Sequence, residues 1–125
     1  MPPKQILVID DENDIREVAK LSLQLTENWI VFTANGGAAG TAFALSAEPD
    51  AILLDVMMPD MDGPSTLRLL QQQGVTKSIP VIFLTAKVQA ADRDKFLQLG
   101  VRGIISKPFD PLTLGEQIKT MLSWV

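Results

Sequence analysis

The sequence predicts an α/β protein: a doubly wound, five-stranded parallel sheet with helices on both faces, one (βα)5 domain over residues 1–125. Two observations predict it. Five short apolar runs recur along the chain, each too short for a helix and too continuous for a half-exposed strand. Between them lie longer segments with helical spacing, so strand and helix alternate five times. A chain of 125 residues, 46% of them hydrophobic, is the length of one domain and can fill one core.

The first run is Ile6 to Ile9, followed by Asp10-Asp11. The second, Trp29 to Ala34, is weaker and stops at Asn35-Gly36-Gly37. The third, Ala51 to Leu54, ends on Asp55. The fourth, Val81 to Leu84, follows Pro80 and leads into Thr85. The fifth is Ile104-Ile105, bracketed by Gly103 and Lys107-Pro108. Helical spacing links Ile15, Val18, Ala19, Leu21 and Leu25. Leu67, Leu69 and Leu70 form a core-facing group after Gly63-Pro64, as do Phe96, Leu97 and Leu99 before Gly100. In the last segment Asp110 is the expected N-cap and Pro111 the first helical residue, ahead of Leu112, Ile118, Met121 and Leu122. Gly36, Gly37 and Gly40 should weaken the second helix.

Composition narrows the chemistry. A net charge of −4, from 15 acidic and 11 basic residues, argues against direct nucleic-acid contact. The absence of cysteine excludes thiolate nucleophiles and disulfides, and the absence of histidine removes the usual general base. The start MPPKQ carries no hydrophobic signal, and no apolar run approaches the ~20 residues of a membrane helix. A cytoplasmic domain with no membrane insertion is expected.

The polar residues then fall into a pattern. Asp10, Asp11, Asp55, Thr85 and Lys107 each stand at or just past the carboxyl end of a run. In open α/β sheets ligands bind beyond those ends, and in the flavodoxin-like order 2-1-3-4-5 strands one, three and four are successive neighbours. With adjacent strands ~4.8 Å apart, Asp10-Asp11 and Asp55 converge and Thr85 approaches from the other side. Lys107 starts two strands away, within reach of its flexible stem. Three carboxylates so close repel one another and call for a hard, oxygen-seeking cation such as Mg²⁺. Asp55 is then placed to attack phosphorus as a carboxylate nucleophile, with Lys107 and Thr85 covering phosphoryl oxygens.

Four motifs stand in order: LVIDDE at 7–12, LLDVMMPDMDG at 53–63, VIFLTA at 81–86 and GIISKPF at 103–109. Together they resemble the receiver domains of two-component response regulators, the chemotaxis regulators among them, over nearly the whole chain. The resemblance implies that Asp55 is the phosphoacceptor, charged by a histidine kinase or a histidine phosphotransfer protein. It implies a Mg²⁺ site, open to Mn²⁺ as a substitute, built from Asp10, Asp11, Asp55 and the backbone carbonyl of Met57. Thr85 matches the switch hydroxyl, Lys107 the phosphate-contacting lysine, and Met57 and Lys87 the positions that tune acyl-phosphate lifetime. A cis Lys107-Pro108 bond is common in similar domains. The first helix would dock the kinase. The face of the fourth helix, fifth strand and fifth helix would meet a downstream target or output domain, or a second copy. One departure stands out: Ile104 occupies the position where many receivers carry a switching aromatic.

Each residue also has an ordinary explanation when taken singly. Acidic doublets cap helices, lysines precede turns, Asp60 and Asp62 shape a turn before Gly63, and Met57, Met58 and Met61 pack a loop. Trp29 and Trp124 read as packing residues. Three other functions compete: a constitutive module that has lost switching, which Ile104 favours; a Mg²⁺-dependent phosphatase or phosphotransferase, which lacks a second acid near Asp55; and a cofactor binder, which Asp10-Asp11-Glu12 would repel.

Overall fold

All five apolar runs become strands: β1 (Gln5–Ile9), β2 (Ile30–Ala34), β3 (Ala51–Asp55), β4 (Val81–Thr85) and β5 (Gly103–Ser106). The structure, a computed structural model, describes residues 2–86 and 89–125. The strands pair parallel in the order β2-β1-β3-β4-β5, as expected. Five helices alternate with them: α1 (Asn13–Glu27), α2 (Gly37–Ala47), α3 (Gly63–Gln71), α4 (Ala90–Gln98) and α5 (Leu114–Leu122).

The continuous apolar runs follow from burial on both faces. β3 and β4 are buried at every position, so neither face of either strand reads as polar. On one face Ile6, Val8, Leu53, Ile82 and Leu84 pack with Leu23 of α1 and Ile118 of α5. On the other, Leu7, Ile9, Ile52, Leu54 and Phe83 pack with Ala44 of α2 and Leu67 and Leu70 of α3. Each fully buried side chain of this size contributes ~1.5–3 kcal/mol.

Local signals set several helix ends. The Asp62 carboxylate accepts from Ser65 N at 2.7 Å and so caps α3, with Pro64 in the first turn. Asn28 closes α1 in the left-handed region at φ 58°, which its short amide side chain tolerates.

Three expectations are corrected. The apolar spacing of the first helix marks its existence but not its buried face. Ala19, Ser22 and Leu23 are buried, whereas Val18, Leu21 and Leu25 are 43%, 58% and 74% exposed. Before Gly100, Leu97 and Leu99 point outwards and only Phe96 reaches the core, where it meets Phe83 edge to face at 5.2 Å. The last helix starts at Leu114, not Pro111. The Asp110 carboxylate caps a separate turn through Leu112 N, at 2.9 Å, and the Pro111 carbonyl accepts the Ser22 hydroxyl from α1. Leu112, on that turn, is exposed.

α2 lies close against β1. A Cβ at Gly40 would stand 2.4 Å from Ile9 Cδ1, so the helix approaches the strand only because that position lacks a side chain. Gly40→Ala should therefore destabilise by ~1–3 kcal/mol in urea unfolding, despite the better helix propensity of alanine. Ile9→Ala removes the Cδ1, Cγ1 and Cγ2 atoms that the new methyl would meet, so the double variant should recover about 1 kcal/mol relative to additivity. Strict additivity would show that the contact is not the cause.

A candidate metal centre at the sheet edge

Parallel strands deliver their carboxyl ends to one edge, and the register lines those ends up. Ile9 pairs with Leu54, which sets Asp10 beside Asp55, the last residue of β3. Asp55 pairs with Leu84, so Thr85 follows one residue later on β4. Thr85 in turn pairs with Ser106, and Lys107 N donates to the Thr85 carbonyl at 2.9 Å. The Lys107-Pro108 peptide is cis.

Asp10, Asp11 and Asp55 each bring a carboxylate oxygen within 4.8 Å of the others. Asp10 and Asp55 are buried and Asp11 is exposed. Lys107 Nζ lies 2.8 Å from Asp10 Oδ2 and 3.2 Å from Asp55 Oδ1, with Glu12 Oε1 further out at 3.6 Å. The first strand's loop is braced around this pair. Glu12 N donates to Asp10 Oδ1 at 2.9 Å, and Arg16 of α1 donates to the Asp10 carbonyl at 2.8 Å. Arg16 is a contributor that the sequence does not single out, and Glu12, which it marks only as a charge that would repel phosphate, braces the loop.

The charges do not balance. Asp10, Asp11 and Asp55, with Glu12 at the rim, face the Lys107 ammonium and the Arg16 guanidinium, leaving two negative charges when all are ionised. Asp10 Oδ2 meets Lys107 only as an ion pair without hydrogen-bond geometry, and Asp55 Oδ2 has no hydrogen-bond donor. Asp55 consequently titrates high. Burial, the Asp10 charge and the Asp11 carboxyl push its pKa up to about 7, against the downward pull of Lys107. Lys107 shifts up too: burial disfavours its charge, but Asp10 and Asp55 outweigh that. Two buried carboxylate oxygens without a hydrogen bond, in an all-oxygen cluster, fit a hard divalent cation, which would cancel the residual charge.

Thr85 is buried at the end of β4 and lines a cleft of about 280 Å³ with Val56, Met57, Ala86, Asp92 and Phe96. The Met57 side chain is 76% exposed, so it does not pack the loop as expected, whereas Met58 is buried. Met57 N donates to Asp55 Oδ1 at 3.3 Å. Ile104 is buried beside Phe83, its partner in the sheet. Lys87 lies outside the described residues. Trp29 and Trp124 pack edge to face at 5.4 Å under Lys4, at the opposite edge of the sheet. Among the described residues no helix is long and apolar enough to cross a membrane.

Comparison with known proteins matches this fold. Residues 6–119 match the family described as response regulator receiver domain. A probable transcriptional regulator, ycf27, of Cyanophora paradoxa is 39% identical over 119 residues, covering 95% of this chain and 48% of the relative. The phosphate regulon transcriptional regulatory protein PhoB of Pseudomonas aeruginosa is 34% identical over 122 residues, covering 98% of this chain and 53% of its own length. The chain thus spans about half the length of these curated relatives. The chemotaxis protein CheY4 of Vibrio cholerae superposes with a TM-score of 0.88 at 29% identity, over 95% of this chain and 98% of that one.

The raised Asp55 pKa carries a stability consequence. A carboxyl whose folded pKa exceeds its unfolded value binds more protons when folded, so folding loses stability as pH rises from about 4 to about 7. Without divalent cations, Asp55→Asn should remove that loss and stabilise the fold by on the order of 2 kcal/mol at pH 8, and by little at pH 4. Urea unfolding at the two pH values measures the difference. An equal effect at both would show that Asp55 does not titrate in this window.

Proposed function

The chain belongs to the response regulator receiver domain family, and on that premise we propose that Asp55 accepts a phosphoryl group in a Mg²⁺-dependent reaction that switches binding to protein partners. Receiver domains are regulatory signalling domains, not conventional enzymes, so the chemistry would be confined to the domain's own aspartate. The observation that carries the reading is the buried Asp55 carboxylate, 3.2 Å from Lys107 and clustered with Asp10 and Asp11.

Asp10, Asp11, Asp55 and the Met57 carbonyl would hold Mg²⁺, with Mn²⁺ as a substitute. When bound, the ion supplies positive charge that neutralises the carboxylates and the phosphoryl oxygens. An Asp55 oxygen forms a bond to phosphorus as the bond from phosphorus to the donor's histidine nitrogen breaks, and the electron pair of that bond leaves with the imidazole. The product is an acyl phosphate on Asp55. Lys107 is already at hand to cover a phosphoryl oxygen, and the Thr85 hydroxyl donates to another. No general base is needed once a cation is bound, because its charge would oppose the burial and the Asp10 repulsion that raise the Asp55 pKa and would keep the attacking carboxylate ionised.

The donor would be a histidine kinase or a histidine phosphotransfer protein docking over the exposed apolar residues Val18, Leu21 and Leu25 of α1. The output face would be α4, β5 and α5, meeting a downstream target, an output domain or a second copy. α4 suits a responsive element. It has no buried residue, and of its side chains only Asp92 and Phe96 are even half-buried, both in the cleft that Thr85 lines. Ile104 has no ring to swing, so this cleft, rather than β5, would carry the response.

Intact mass after incubation with acetyl phosphate tests the reading. One phosphoryl adduct should form with Mg²⁺, fail to form without it, and be absent in Asp55→Asn. Lys107→Ala should slow its formation at least about ten-fold. No adduct, together with no Mg²⁺ uptake by calorimetry, would overturn the phosphoacceptor assignment in favour of a constitutive interaction module. Tryptophan emission is a poor substitute for calorimetry, since both indoles lie at the far edge of the sheet.

A further inference from the structure

Asp60 lies in the loop of residues 56–62 that joins β3 to α3. Its two neighbours in function are easy to assign: Asp62 caps its own helix, and Met57 follows the phosphoacceptor. Asp60 does neither. Its Oδ1 and Oδ2 accept from Gly37 N and Ala38 N, each at 3.2 Å, so it caps α2 from a different element. α2 has no cap of its own, because its N-cap residue, Gly36, has no side chain to offer.

The seating is sterically close. A Cβ at Gly36 would lie 2.8 Å from Asp60 Oδ1, and one at Gly37 would lie 2.3 Å from Thr66 Oγ1. The far end of the loop is fixed as well. Gly63 N donates to the Val56 carbonyl at 2.8 Å, and a Cβ at Gly63 would meet the Asp55 carbonyl oxygen at 2.8 Å. Between these ends Met58 anchors one side by burial, while Met57 has an exposed side chain and only a long hydrogen bond, 3.3 Å, to Asp55. The backbone at Met57 therefore takes its position from its neighbours, and Asp60 is the loop's hydrogen-bonded link to α2. The backbone N–H of Ala38, with those of Gly37, Met61 and Asp60 itself, holds the Asp60 carboxyl below the usual carboxylate range against the opposing effect of burial, so the link is intact at neutral pH.

We infer that Asp60 is a positioning residue for the metal centre: by tying the 56–62 loop to the start of α2, it sets where the Met57 carbonyl stands relative to Asp10, Asp11 and Asp55, and thereby sets divalent-cation affinity. The inference rests on the reading of that cluster as a Mg²⁺ site. It adds a residue that touches neither the ion nor the phosphoryl group.

Calorimetric Mg²⁺ titration of the wild type, Asp60→Ala, Asp60→Asn and Gly36→Ala tests it, with the Met57 amide shift on Mg²⁺ addition as a second readout. Asp60→Ala should weaken Mg²⁺ binding about ten-fold. Asp60→Asn, whose amide oxygen can still accept one of the two N–H groups while its NH2 faces the other, should fall between the wild type and Asp60→Ala. Gly36→Ala inserts a methyl where the carboxylate sits, from outside the loop and at an extended backbone position (φ −176°) that alanine adopts freely. It should weaken binding in the wild type and add nothing in Asp60→Ala, and it serves if the loop variant fails to fold. Unchanged Mg²⁺ affinity and an unmoved Met57 amide in Asp60→Ala, with only a lower Tm, would reduce Asp60 to a helix cap and overturn the inference alone. No Mg²⁺ uptake by the wild type would overturn it together with the reading beneath it.

Discussion

Asp10 and Asp55 are held side by side in the interior with one ammonium between them, and much of the surrounding structure answers to that charge. An ionised carboxylate in a protein interior costs several kcal/mol unless it is paired. Lys107 reaches both across the end of β4, which it can do only because all the strands point the same way and their registers end together. The sheet supplies the stability that the site consumes. Ile9, Leu54 and Leu84, each fully buried, adjoin these polar positions, so the carboxylates sit on a rigid apolar floor. The charge is left unbalanced, and on the proposed reading that imbalance is what would let the edge take up a cation and then a phosphoryl group.

This part of the molecule is legible in the sequence because both signals are local. An apolar run that stops abruptly on Asp10, Asp55 or Thr85 states its own end, and once the runs are parallel those ends must share an edge. What is not legible depends on contacts between distant segments. The buried side of α1 is decided by α5, which lies against it, so Ala19 and Leu23 are chosen over Leu21 and Leu25, although all four are apolar. The start of α5 is decided by Ser22, which claims the Pro111 carbonyl. The role of Asp60 is decided by two backbone amides at Gly37 and Ala38, and an amide leaves no mark in a sequence. The adjacent glycines, Gly36 and Gly37, were the one available sign that something approaches closely there.

The two loops beside Asp55 are built to opposite purposes. The one after β3 is pinned at Gly63, tied to α2 by Asp60, and anchored by Met58. The element after β4 is lightly held: α4 touches the core chiefly through the ring of Phe96 against Phe83. A switch needs this asymmetry. On the proposed reading, the side that would set metal geometry must stay in place when a phosphoryl group arrives, and the side that would report its arrival must move cheaply. Low local packing is the physical form of a small opening free energy.

Ile104 sharpens the point. In many similar domains a ring on β5 would couple the site to the surface, but here that position holds a buried isoleucine in the same core cluster as Phe83 and Phe96. A β-branched side chain at full burial has few rotamers to exchange. The aromatic that shares the Thr85 cleft is Phe96, which also packs edge to face on Phe83. Any change at Thr85 that alters the cleft acts on the main hold that α4 has on the sheet. On the proposed reading the missing ring on β5 would not silence the domain. It would move the point of coupling from a strand to a helix, where a few tenths of a kcal/mol lost from one aromatic contact would be felt because so little else holds the helix in place.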